Sequence, residues 1–470
     1  MADLQASSLV LFNIVAFLVP AGLALLAVGA AEEERAERVA TTAVVALASA
    51  AIGYYLMGFA VQFGGAAFVS GMPGLVGLTA EWSPLDLTWG PGWGVIGLRG
   101  FALHDAAYNP DAYLLFLASL PSVYTAVLVA LLALSRHVRQ ILLFGVGLLI
   151  SSLIYPLYGN WVWGGGWLAN LGLNLQQGHG FVDVAGSSTI FLLGTLVALS
   201  AYLLVKPTRA IEEGPASLPP IHFPLFMILG AVLALLGWAG LILGNPLLGE
   251  QVSTPIAVLN LFLSASAAAT VVSLYSWFVT GQPNAMATAR GIVAGLVAAS
   301  ASCAFVPAWA ALVIGAAAGI LYLASVYAWD RVLRWEDPSA SAATYGIPGV
   351  WGLVALSVFA DGRWGVGWNN VGVQEYLGIS GQGISGFLLA GGYQPAGPVQ
   401  LQAQLTGLAA LLAVALLLPW VVFRGAIWLR TVVQPAPAES TECTQAELAI
   451  EEESDSSQAG EAGDEDVDAA

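Results

Sequence analysis

The sequence predicts an all-α integral membrane protein with eleven transmembrane helices. Three observations carry this. Hydrophobic residues make up 58% of the chain and charged residues 9%, against about 25% charged in an ordinary soluble domain. Apolar runs of membrane length recur from end to end, roughly 20 residues being enough to cross a bilayer. The basic residues, finally, fall on alternate connections between those runs.

In chain order the runs are 9–31, 40–64, 112–134, 140–162, 184–205, 222–243, 254–279, 290–304, 309–329, 341–360 and 400–423. The first lacks a preceding basic stretch and is long enough to span, so it reads as a membrane helix and not as a cleaved leader. Between the second and third lies a long Gly-, Pro- and Trp-rich connection, 65–111, with Trp82, Trp89 and Trp93. A similar one at 361–398, with Trp364 and Trp368, precedes the last run. Both read as ordered caps with tryptophans at the membrane interface. The eighth run is short for a bilayer. Abundant Ala and Gly suit close helix packing.

Of thirteen basic residues, Arg35, Arg38, Arg136, Arg139, Lys206, Arg209, Arg290, Arg331, Arg334, Arg424 and Arg430 share one side and only Arg99 and Arg363 the other. This bias places the N-terminus outside the cell membrane and the C-terminus in the cytoplasm, as an odd number of spans requires. The net charge of −17 misleads, because residues 439–470 hold twelve of the thirty acids and no base. Two regions are expected: a transmembrane domain, 1–433, and an acidic, disordered tail, 434–470. The tail reads as solubilising, or as a docking segment for a cytosolic partner. Cys303 and Cys443 suit neither a disulfide nor a metal site. No metal cluster, nucleophile–base pair or cofactor motif is apparent, so no enzyme, no cofactor and no nucleic-acid partner is expected.

The stretch Trp161–Gly194 holds a lone acid, Asp183, ahead of a long apolar run. A carboxylate there is costly unless it caps a helix or serves a site. The fifth run opens with DVAGSST and the tenth contains ATYGIPGVWGLVAL. If runs one to five and six to ten are repeats, their odd number forces inverted topology, a 5+5 arrangement with the eleventh helix as a brace.

Several segments then match a known pattern in order: VWGGGWLA at 162–169, FVDVAGSS at 181–188, GWAGLILGN at 237–245 and EDPSASAATYGIPGVWGLVAL at 336–356. In order, spacing and placement they resemble the ammonium transporter superfamily (Amt/Mep/Rh) over roughly residues 8–430. The resemblance implies a homotrimer with one hydrophobic pore per subunit, ammonium or ammonia as substrate, and a PII-type regulator as a possible partner on the cytoplasmic face. It implies an outer vestibule with a Trp and a Ser, two gating Phe rings, and two pore histidines that handle the proton. Carried over by position, the vestibule Trp is Trp163, the Asp beneath it Asp183, and the Ser position holds Asn245. The gate positions hold Ser122 and Leu241. The histidine positions hold Phe191 and Tyr345.

Both pore histidines are therefore absent, and His104, His137, His179 and His222 fall in loops or at span ends, with His104 and His179 expected at the surface. An imidazole donates, accepts and titrates near neutrality. Phe191 does none of these, and a tyrosine hydroxyl with a pKa of about 10 is a poor acceptor at neutral pH. Three readings follow: a closed pore in a sensor or structural relative, passage of a different small neutral solute, or ammonia passage by an altered route.

Overall fold

The computed structural model describes residues 2–68, 70–85, 92–205, 223–249, 252–335, 337 and 339–433. Lys206, Arg209, His222, Trp89, Cys443 and the acidic tail lie outside the described residues. Among the described residues, ten helices are long and apolar enough to cross a membrane. They are α1 Ala6–Gly29, α2 Glu33–Phe68, α3 Pro110–Leu134, α4 Gln140–Trp163, α5 Ser187–Val205, α6 Phe223–Leu243, α7 Thr254–Thr280, α9 Ala308–Leu333, α10 Ala342–Phe359 and α11 Gly397–Trp428. Between α7 and α9 stands a shorter apolar helix, α8, Ala285–Ser300. The chain is a multi-pass membrane protein. Its compact body ends at Trp420, and the second unit begins at Val421 with residues that are helical as far as Val433.

Helix starts follow local chemistry. Pro110 opens α3 behind Asn109, whose side chain accepts from the Ala112 N–H at 3.0 Å, and Asn284 caps α8 in the same way through Ala287. Glycine then decides how near the helices come. Gly22 of α1 lies against the Gly230 carbonyl of α6, and Gly230 lies against the Gly22 carbonyl. Gly315 of α9 sits on the Ser264 backbone of α7 in the same manner. A β-carbon at any of these positions would meet backbone, so small residues set these crossings.

The innermost helices are α3, α5 and α10. Residues Ser187–Ala198 of α5 are buried without interruption. Both α5 and α10 begin with a wide π-helical turn, Ser187–Leu192 and Ala342–Gly346. Each of the two long connections contains a short strand pair. In one, β1 (Glu81–Trp82) pairs antiparallel with β2 (Ile96–Gly97), with Glu81 opposite Gly97. In the other, β3 (Glu375–Tyr376) pairs antiparallel with β4 (Ile379–Ser380).

Two of the tryptophans expected to face the interface, Trp93 and Trp368, are buried within the protein. His179 is the larger correction. Expected at the surface, it is fully buried, with its ring against Tyr376 at a centroid distance of 4.5 Å. Its backbone is held by Gln400 and Asn369. The reason is tertiary: the 361–396 cap and α11 fold over a loop that is polar and Gly-rich in sequence. His104 is exposed as expected.

Candidate functional site

Asp183 organises the long-loop end of α5. Gly186, at φ 84°, turns the chain so that Asp183 faces the first turn of the helix. One carboxylate oxygen accepts the Ser187 N–H at 2.7 Å. The other accepts the Ser188 and Thr189 N–H groups at 2.9 Å each, and their hydroxyls at 2.6 and 3.0 Å. Five donors on one buried carboxylate satisfy the unpaired amides of the helix start. Burial raises the Asp183 pKa above the usual carboxylate value, and the bonds from Ser188 and Thr189 oppose that rise. The carbonyl of the same residue accepts the Trp163 indole N–H at 2.7 Å, so Asp183 also fixes the Trp163 ring.

Trp163 borders two adjoining cavities. The inner one, about 30 Å³, is lined by Ser122, Trp163, Leu241 and Asn245, together with Phe63, Tyr155 and Ile190. The outer one, about 110 Å³, shares Trp163, Asn245 and Leu247 with it and adds Trp368, Asn369 and Asn370. Four of the seven residues marked from sequence thus meet around one space the size of a water molecule. Asn245 is oriented by its own turn, its side-chain oxygen accepting the Leu247 N–H at 2.9 Å. Asp183 does not line either cavity. Its side-chain oxygens are turned to the helix start, and its carbonyl holds Trp163 at the site.

Phe191 follows Ile190 into the bundle but does not line the inner cavity. It lies flat between two other rings. Trp238 of α6 stacks on it at 4.7 Å with 9° between planes, and Tyr345 of α10 at 6.0 Å with 18°. All three are buried, and the Trp238 indole N–H donates to Ser300 Oγ at 2.8 Å. Trp238 was not singled out in the sequence. The signal was there, since Trp238 precedes Leu241 by three positions and therefore shares its helix face.

The helix carrying Tyr345 starts as α5 does. The Asp337 carboxylate accepts from the Ser341 hydroxyl at 3.1 Å and the Ala342 N–H at 3.0 Å. Phe191 stands eight residues after Asp183, and Tyr345 eight after Asp337. Two capped, π-turned helices thus bring one ring each to a common stack.

Comparison with known proteins gives the family. The model of the Ammonium Transporter Family matches residues 7–432. Ammonium transporter Amt2 of Archaeoglobus fulgidus is 29% identical over 350 residues, covering 74% of this chain and 69% of that one. An ammonium transporter of Bacillus subtilis is 27% identical over 304 residues, covering 64% and 71%. Among solved structures, a protein titled Sensor Amt Protein superposes with a TM-score of 0.70 at 21% identity, over 92% of this chain and 95% of that one. Candida albicans Mep2 superposes at 0.68 with 18% identity, over 89% and 83%. These two share the fold. With the family match running through nearly every span and through both capped helices, the chain belongs to the ammonium transporter family.

Proposed function

We propose that this chain passes ammonium nitrogen across the cell membrane as neutral ammonia. The observation that carries the reading is the cavity gathering Trp163, Ser122, Leu241 and Asn245 directly ahead of a buried aromatic stack. An ammonium ion is attracted to the Trp163 face, a contact worth up to about 2 kcal/mol when desolvated. Moving such an ion into a dry interior costs on the order of 20 kcal/mol in the idealised limit. The ion therefore stops at the cavity. Its proton returns to the outer water, because Asp183 is saturated by five donors and Phe191 and Trp238 accept none. Only the neutral molecule goes on past Phe191 and Tyr345, and the proton relay of a histidine pair is lost.

The finer architecture belongs to the same reading. Eleven spans, with α8 as the short one, form an inverted 5+5 repeat braced by α11. The equal eight-residue spacing after Asp183 and Asp337, and the reciprocal Gly22–Gly230 contact between α1 and α6, support it. The N-terminus lies outside and the arginine-bearing face in the cytoplasm, where a PII-type regulator would dock. Residues 1–433 form the membrane domain of a homotrimer, and 434–470 an acidic tail. The aromatic stack also favours a second reading, a non-conducting relative that binds ligand at Trp163 and signals.

Proteoliposome flux separates them. Native chain should admit ammonia faster than empty vesicles do, seen as internal alkalinisation, without current. The double variant Phe191→His/Tyr345→His should add an ammonium-dependent current. Current through the native chain would refute the neutral route, and no alkalinisation above empty vesicles would favour the sensor.

A further inference from the structure

His179 is a buried titratable group with no part in the proposed transport. It lies in the connection between α4 and α5, fully enclosed, and neither ring nitrogen has a hydrogen-bond partner. A neutral imidazole carries one donor and one acceptor, and leaving both unpaired in the interior is costly. Packing and the backbone hold the ring there. Tyr376 of the 361–396 cap meets it at 4.5 Å with 62° between planes. Gly372, at φ 67°, lets the cap close, since a β-carbon there would meet the Tyr376 side chain at 2.8 Å. Gln400 of α11 accepts the His179 N–H at 3.0 Å. Asn369 of the cap donates to the His179 and Phe181 carbonyls at 2.9 and 3.3 Å. Connection, cap and last helix therefore meet at one residue.

This joint adjoins the outer cavity, which Trp368, Asn369 and Asn370 help to line. Asn369 and Asn370 are held at φ 52° and 61°, a left-handed conformation that a non-glycine residue keeps only where its surroundings impose it. Here the bonds from Asn369 to the two carbonyls impose it. An imidazolium in the joint would need an acceptor or a counter-charge, and finds neither. Tyr376 is the titratable side chain against the ring, and acid leaves a phenol neutral. Gln400 and Asn369 are uncharged. Glu375, beside Tyr376, is exposed, and the Asp183 carboxylate is taken up by the start of α5. Burial alone pulls the imidazole pKa down to about 4, with no charged neighbour contributing.

We propose that His179 is an acid-operated latch on the outer cavity: a proton taken up by the ring drives it from the joint, the cap lifts from α11 and from the α4–α5 connection, and Trp368, Asn369 and Asn370 leave the cavity wall. The latch works whatever solute the chain passes. The proposed topology decides only that it senses acidity outside the cell. The closed ring holds its proton more weakly than a free imidazole does. The closed form is therefore favoured above pH 6.5 and loses ground as pH falls toward 4, by on the order of 100-fold in the closed-to-open ratio.

The test is hydrogen–deuterium exchange on the full chain in phosphatidylcholine nanodiscs from pH 7 to pH 4, corrected for the intrinsic pH dependence of exchange. Protection within residues 176–182 and 364–380 should fall about 100-fold and return at pH 7, while α3 and α5 stay protected. His179→Leu should keep both segments closed throughout. Unchanged protection in the native chain, loss in all segments together, or equal loss in His179→Leu would overturn the proposal. The native chain also carries a readout of its own, should the leucine variant fail to fold. A loss that sets in just below pH 6.5 belongs to histidine, whereas one that sets in only near the carboxylate range, about pH 4.5, would refute the latch.

Discussion

Asp183 shows how one residue can be read correctly in kind and still surprise in reach. Its capping role was legible, because an acid followed by SST ahead of an apolar run is a helix-start pattern. That it accepts five bonds and fixes Trp163 through its carbonyl was not, because Trp163 comes from another helix. Removing the carboxylate strands buried donors, so Asp183→Ala should lose about 2–4 kcal/mol of stability, read as a lower melting temperature in detergent. Ammonia flux should fall with it as the Trp163 ring loosens. A variant as stable as the native chain would show that the cap is dispensable. His179 supplies the pH dependence. Burial pulls its pKa from 6.5 down to about 4, so the folded protein holds it neutral, among the uncharged Tyr376, Gln400 and Asn369. Its contribution is fully present above pH 6.5 and is lost as pH falls toward 4, on the order of 3 kcal/mol in all. Thermal melts from pH 7 to 4 should show this loss, and His179→Leu should flatten it. Equal slopes in the two proteins would contradict the assignment.

Among the helices, the sequence located the ten long apolar ones to within about seven residues at either end, since long apolar runs carry their own signal, and its run at 290–304 falls on the shorter helix α8. It did not indicate which faces meet. Trp238, Phe191 and Tyr345 come from α6, α5 and α10, and no periodicity within one helix reports a ring arriving from another. The two acidic starts were visible separately as DVAGSST and EDPSAS, but their common offset to an aromatic ring gains meaning only once the rings are seen stacked. The crossing of α1 and α6 gives the sharpest test at this level. Leucine at Gly22 or at Gly230 would place a side chain into the facing backbone, so each should destabilise by about 1–3 kcal/mol or more. The double variant should cost less than the sum of the singles, because both act on one contact. Strict additivity in melting experiments would argue against a shared crossing.

For the whole molecule, the arrangement of charge predicts sidedness. With Cys443 replaced by serine, and Cys303 buried, single cysteines at Ser380 and at Gln282 report the two faces. A membrane-impermeant maleimide added to intact cells should label Ser380→Cys and spare Gln282→Cys until the membrane is opened. The reverse pattern would invert the proposed topology. The aromatic stack has its own consequence at this scale, in the currency of the membrane potential. A cation carried inward through 100 mV gains about 2.3 kcal/mol, enough to concentrate it roughly 50-fold. On the proposed neutral route past Phe191, Trp238 and Tyr345, transport moves no charge and draws nothing from that field. It lets ammonia level out across the membrane in either direction, so that the cell would retain nitrogen by assimilating it on arrival and would vent it when supply outruns use.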